Sequence, residues 1–169
     1  MSITILCGSV GKNVELANAL QETAIKLGGT SEVINLVELN LPLYSTAEEA
    51  ANGVPAAAKQ LSDTLCASKA FIFVAPEYNG TLPPALNNAI AWVSRSGDDW
   101  RGAFGQKLAA VATHSGGGGQ KVLNAMRTQL EHLGSTVLAR EILTHYQKPL
   151  NPESADAVVG QLIAWSKNI

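Results

Sequence analysis

The stretch Ala70-Phe71-Ile72-Phe73-Val74-Ala75 has no polar residue on either face of an extended chain. Such a strand needs cover above and below, which is the situation of a central parallel strand between two helix layers. The rest of the chain agrees with that placement. Ile3 to Cys7, Val33 to Leu36, Leu108 to Thr113 and Thr136 to Ala139 are further strand-like runs, and helix-period patterns separate them. Ala17, Leu20, Ala24 and Leu27 share one helical face; Ala57, Leu61 and Leu65 share another. Val122, Met126, Leu130 and Leu133 mark a later helix, and Val158, Leu162 and Trp165 face inward from the last, which runs from about Pro152 to Lys167. Pro55 opens the second helix, Pro83 or Pro84 starts one reaching about Arg95, and Gly28-Gly29 and Gly134 end two others. Val37 to Gly53 reads as an irregular excursion, and Ser96 to Gln106 as a loop with its tip at Gly97-Asp98-Asp99.

Five strands alternating with five helices predict an α/β fold over residues 1–169 as one domain: three layers around a doubly wound, five-stranded parallel sheet. The expected strand order is 2-1-3-4-5, the flavodoxin-like arrangement. Ligands of such sheets bind beyond the carboxyl ends of the strands, where the order switches between strands 1 and 3.

Composition limits the alternatives. A net charge of −2 gives no electrostatic case for nucleic acid or an anionic membrane surface. No run of about 18 apolar residues is present, so no membrane-spanning helix is expected. Met1-Ser2-Ile3-Thr4-Ile5-Leu6 lacks a basic region and reads as a strand rather than a signal peptide. Cys7 and Cys66, far apart, read as two small core residues in a reducing compartment, which makes the cytoplasm the expected location. No His, Cys or carboxylate pair has metal-ligand spacing, and no metal is expected.

Three loops at one edge of the expected sheet are unusual. Gly8-Ser9-Val10-Gly11-Lys12-Asn13 joins the first strand to its helix. Glycines let backbone amides approach an anion, and a helix N-terminus adds its dipole, so Ser9, Lys12, Asn13 and Val14 are candidates to hold a terminal phosphate. The loop is neither a GxxxxGK[ST] nor a GxGxxG motif, which excludes a P-loop and a dinucleotide fingerprint. Pro76 to Leu82 follows the most apolar strand yet carries Glu77, Tyr78 and Asn79, more than a simple turn requires. Pro76, Glu77, Tyr78, Asn79 and Gly80 can present amides in the plane of a flat heterocycle, with Tyr78 packed nearby. His114 and Ser115 precede four glycines, and Ser115, Gly116 and Gly117 can lie flat against a ring and donate to its carbonyls. Each loop alone has a plain structural explanation: a capping turn, a surface loop with an incidental tyrosine, a flexible glycine run. One ligand accounts for all three. His114 is the histidine placed to meet it, although a structural role suits that residue better.

At these residues the chain resembles the NAD(P)H-dependent FMN reductases, which include enzymes described as quinone, chromate and azo-dye reductases. Leu41-Pro42-Leu43-Tyr44, Pro76-Glu77-Tyr78-Asn79-Gly80-Thr81 and Leu86-Asn87-Asn88-Ala89-Ile90-Ala91-Trp92 carry the likeness, and Ser115-Gly116-Gly117 adds to it. The resemblance extends from about Leu36 to Leu143. It implies FMN, with residues 76–80 against the isoalloxazine ring and 115–117 on its pyrimidine side. It also implies a homodimer or homotetramer, with Trp92 and its helix as candidates for the subunit contact. Two departures stand out. The family's first loop is longer and carries an arginine that is missing here, and Asn87 and Ala91 replace its lysine and aspartate.

The implied activity is hydride transfer from NAD(P)H to bound FMN, then to a quinone, a flavin or another small acceptor. The cofactor carries that chemistry, so no catalytic protein residue is expected. A flavodoxin-type electron carrier is the alternative, favoured by the first loop and disfavoured by the small acidic excess of 14 over 12. A flavin-free interaction domain is a third reading.

Overall fold

Phe71 and Phe73 lie in one hydrophobic core, and Ala70, Ile72 and Val74 lie in another on the opposite side of the same strand. This strand, β3 (Ala70–Val74), is the buried middle of the sheet, as its composition requires. The computed structural model describes residues 2–97 and 99–168. In it β1 (Ser2–Cys7) pairs with β2 (Thr30–Asn35) on one side and β3 on the other. β3 in turn pairs with β4 (Leu108–His114), whose far edge carries β5 (Thr136–Val137). All these pairings are parallel and the order is 2-1-3-4-5, so the expected fold is the observed one.

Helices α1 (Lys12–Lys26) and α6 (Pro152–Trp165) cover the face that bears Ile3, Ile5 and Ile72. The other face bears Leu6, Phe71, Phe73 and Val111, and α3 (Ala56–Ala67), α4 (Pro84–Val93) and α5 (Gln120–His132) close over it. Large side chains such as Phe71 and Phe73, fully buried, each contribute roughly 1.5–3 kcal/mol from removal from water.

Several details differ from the expectation. The fifth strand position is filled by two pieces, because β6 (Ile142–Thr144) also pairs with β4, nearer its carboxyl end. The chain leaves the sheet between them where the Arg127 guanidinium takes the carbonyls of Val137, Leu138 and Ala139 at 3.4, 2.8 and 3.4 Å. An irregular stretch was expected at 37–53, yet it contains α2 (Thr46–Asn52), capped by the Ser45 hydroxyl accepting from the Glu48 amide at 3.0 Å. The Ser-x-x-Glu spacing of a capping box was the available signal. A short 3₁₀ turn (Trp100–Ala103) lies within the expected loop 96–106, and Asp98 of its expected tip falls outside the described residues.

Leu27 and Trp165 do not face inward; they are 37% and 52% exposed, at helix ends where the periodic stripe has run past the sheet. Cys66 is likewise exposed, near the end of α3, and only Cys7 is in the core. Trp92 is fully buried, so it cannot itself touch a subunit. Its indole N–H donates to the Pro42 carbonyl at 2.7 Å, and the Tyr44 ring stands edge-on to it at 5.1 Å. The Leu41–Tyr44 segment is thus a lid on α4.

Candidate functional site

The three suspect loops leave the sheet at one level. The Gly8 amide donates to the Val74 carbonyl at 2.8 Å, and the Ala75 amide to Ala112 at 3.2 Å. The loops then hold one another. A Cβ on Gly8 would meet Pro83 Cγ at 3.2 Å and the Cβ atoms of Ala75 and Leu86 at 3.4 Å, so the first loop lies close against Ala75 and the start of α4. The Thr113 hydroxyl, buried at the end of β4, donates to the Ala75 carbonyl at 2.6 Å. Asn13 spans the first and third loops, donating to the His114 carbonyl and accepting from the His114 amide, both at 2.9 Å.

In the first loop, Gly11 precedes α1 with φ 69°, and no side chain caps the helix. The amides of the first turn therefore point out of the helix end without a side-chain acceptor, which is the arrangement that binds anions. The individual side chains do less than expected. Asn13 is committed to His114 rather than open to a ligand. The Val14 amide is taken by the Gly11 carbonyl at 2.9 Å. Lys12 pairs with Glu15 at 2.8 Å, a contact that raises the lysine pKa above its ordinary value. The buried Ser9 directs its hydroxyl to the Val10 carbonyl at 3.2 Å. Any anion here would be held mainly by main chain.

The second loop is a two-residue hairpin. Tyr78 and Thr81 exchange amide–carbonyl bonds, both at 3.0 Å, around Asn79 (φ 51°) and Gly80 (φ 78°). Two consecutive positive φ values define a type I′ turn, for which Asn-Gly is the preferred pair. The Asn79 and Gly80 amides take no part in that exchange, and Tyr78 stays half-exposed. Pro76 leads into it. Beside it, Glu77 has a buried carboxylate oxygen, Oε2, with no hydrogen-bond partner among the described residues.

The third loop starts at Ser115, buried and tied by its amide to the Thr144 carbonyl at 3.1 Å. Gly116 to Gly118 are exposed, and a Cβ on Gly117 or Gly118 would meet nothing within 4 Å. Gly119, with φ 73°, is crowded by Thr113 and Ser115 and starts α5, again with no side-chain cap.

Every sequence-nominated segment thus reaches one rim, while the Asn13 and Val14 groups turn inward as scaffolding. Sequence reasoning missed Thr113 and Lys121, and it read Gly8 as a loop glycine without its packing on Pro83 and Leu86. The Lys121 stem lies 3.4 Å from the Cβ position of Gly80, at the start of a helix whose dipole disfavours a cation. Only that unfavourable placement, legible as a lysine two residues past the glycine run, could have drawn attention to it.

The residues suit FMN on observations of the chain itself. An uncapped helix start suits a phosphate, an open glycine ledge suits a flat ring, and the orphaned Glu77 oxygen suits a ring N–H donor. Residues 1–148 match the family described as NADPH-dependent FMN reductase. A probable NADPH:quinone oxidoreductase 2 of Oryza sativa subsp. japonica is 35% identical over 88 residues, 52% of this chain but only 41% of that protein. A quinone reductase of Pseudomonas putida is 36% identical over 138 residues, 78% of this chain and 70% of that one. Among solved structures, the flavoenzyme NAD(P)H:(acceptor) oxidoreductase FerB of Paracoccus denitrificans superposes with a TM-score of 0.75, at 23% identity, covering 98% of this chain and 95% of that one. At that identity the superposition speaks for the fold. The family match over most of the chain settles the rest: this chain belongs to the NADPH-dependent FMN reductases, oxidoreductases that take FMN with NAD(P)H as electron donor.

Proposed function

We propose that the chain reduces a small acceptor, a quinone or a free flavin, with electrons from NAD(P)H, and that FMN sits on the rim formed by residues 8–14, 76–80 and 115–117. The observation that carries this reading is the buried Glu77 oxygen, without a partner among the described residues, beside a hairpin whose two turn amides stay out of its hydrogen-bond exchange. A buried polar atom left unpaired costs about 1–3 kcal/mol, and a ring N–H from the cofactor would remove that cost.

When bound, FMN supplies the hydride-accepting and electron-passing chemistry. The protein's work is placement. The first turn of α1 would hold the phosphate through main-chain amides, with Ser9 lining that cradle. The Asn79 and Gly80 amides and the Glu77 carboxylate would hold the ring, and the Ser115–Gly117 ledge would support it. Tyr78, half-exposed beside the turn, shapes the space where a nicotinamide would stack and excludes water from it. Lys121 adds positive charge at that edge.

A flavodoxin-type carrier is the competing reading, favoured by the short first loop. NADPH consumption with a quinone by FMN-loaded protein separates the two. Turnover above the free-flavin background supports the enzyme, and none would leave the carrier. A panel of quinone, flavin, nitro-compound and chromate acceptors then identifies the acceptor class. Two unpaired thiols suit a reducing compartment such as the cytoplasm, and light scattering on the purified protein tests the expected dimer or tetramer.

A further inference from the structure

A concavity of about 410 Å³ lies behind the first loop, between α1 and the connection from β6 to α6. That volume is within the roughly 300–1,000 Å³ usual for ligand pockets. Lys12, Glu15 and Leu16 of α1 form one wall; His114, Tyr146 and Leu150 form the other. It lies on the α1–α6 side of the sheet, the side of Ala110 and Ala112, whereas Phe73 and Val111 lie in the opposite core.

The hydrogen bonds of His114 define what this cavity lacks. The Thr144 hydroxyl donates to the Thr113 carbonyl at 3.0 Å, so it can only accept from His114 Nδ1 at 3.1 Å. Nδ1 of the neutral ring therefore carries the hydrogen. Nε2 keeps a lone pair, is buried, and has no donor among the described residues. The Tyr146 ring stands edge-on over this imidazole at 5.3 Å and is itself 77% exposed, so it is free to turn and offer its face to an incoming ring. On His145 the order is reversed. Its Nδ1 accepts from the Gln147 amide at 3.3 Å, which leaves the hydrogen on Nε2 as a donor. A fitting ligand needs an N–H on a flat ring for His114, a face for Tyr146, hydroxyls for the Glu15 carboxylate and an anion for Lys12.

We propose that this cavity binds an adenosine phosphate. The exocyclic amine donates to His114 Nε2, the base stacks on Tyr146, the ribose hydroxyls donate to Glu15, and the phosphate meets Lys12. Two sources carry this chemistry, the adenosine end of NAD(P)H and a free adenine nucleotide. The first of these rests on the donor role proposed above.

The test is calorimetric titration of AMP into the FMN-loaded protein. Saturable binding is expected. Ala19→Trp, which fills the cavity from α1, should weaken it at least tenfold while FMN affinity stays unchanged. Tyr146→Ala, at an exposed side chain, should weaken it several-fold and serves if the tryptophan variant does not fold. If AMP raises the KM for NADPH but not for reduced nicotinamide mononucleotide, the site takes the adenosine end of the donor. Binding without that competition assigns it to a free nucleotide. No saturable AMP binding up to millimolar concentration, or binding untouched by both substitutions, overturns the proposal. An FMN titration on the same preparation keeps the outcomes apart, since protein that takes FMN but not AMP retires only the adenosine site.

Discussion

The Asn13 carboxamide closes a two-bond clasp on the main chain of His114, 101 residues away, with its nitrogen and its oxygen each 2.9 Å from their partners. The first loop's helix is thereby fixed to the start of the third loop. A residue that sequence spacing nominates for phosphate contact turns out to set the distance between the two ends of the ligand rim.

Asn13→Ala should therefore destabilise the protein and loosen FMN together. It leaves the His114 N–H and C=O unpaired, at about 1–3 kcal/mol for each such group that stays buried. Asn13→Asp should be no better, since a carboxylate cannot donate to the His114 carbonyl. Urea unfolding of apo and FMN-loaded protein checks both. An unchanged midpoint in the alanine variant would show that the clasp carries no weight.

Glu77→Gln tests the orphaned carboxylate oxygen and carries opposite expectations for the two forms. In the apo protein no described residue bonds to Oε2, so stability should hold or rise slightly. FMN affinity should fall about tenfold, because the amide rotamer that serves a ring N–H competes with one that cannot; a lost charged hydrogen bond is worth about 1.5–3 kcal/mol. Fluorescence quenching of FMN on titration gives the affinity. Equal loss of stability and affinity would mean that Glu77 is scaffolding.

The layer order was legible because β3 is apolar on both faces and glycines and prolines punctuate the helices. The three loops were legible because each is overbuilt for a connection. What remained hidden is non-local. The break between β5 and β6 depends on Arg127, ten to twelve residues before the carbonyls it takes, and nothing in Leu138-Ala139-Arg140-Glu141 announces it. The commitment of Asn13 depends on His114 arriving beside it. Cys66 and Trp165 have apolar character at helix positions beyond the edge of the sheet, where periodicity still counts them but no partner surface exists.

Gly80→Ala probes the hairpin. At φ 78° a side chain costs about 1–2 kcal/mol, while the new Cβ would only touch the Lys121 stem at an ordinary 3.4 Å. Asn79→Gly, at φ 51°, should be near neutral for the turn. The alanine variant should lose stability by about that amount and release FMN more readily; the glycine variant should keep both. Thermal unfolding with and without FMN distinguishes strain in the turn from a direct contact.

The two thiols should differ sharply in reactivity, and Cys7 should make stability depend on pH. Cys66 is exposed and should consume one equivalent of a disulfide reagent in the native state; Cys7 should react only on unfolding. Burial pushes the Cys7 pKa above its ordinary value of 9.0, and the Ser9 carbonyl, which accepts from the thiol at 3.3 Å, is the group nearest it. The unfolded thiol ionises first as pH rises, so above about pH 9 the unfolded state binds fewer protons than the native one, and stability must fall there. Below pH 9 both states keep the proton and the contribution is complete. The wild type should therefore lose urea midpoint relative to Cys7→Ala between pH 9 and the higher native pKa, with no divergence at neutral pH. Other titrating groups cancel in that difference. Parallel midpoints through pH 10 would mean that the Cys7 thiol is no harder to ionise in the fold than in the open chain.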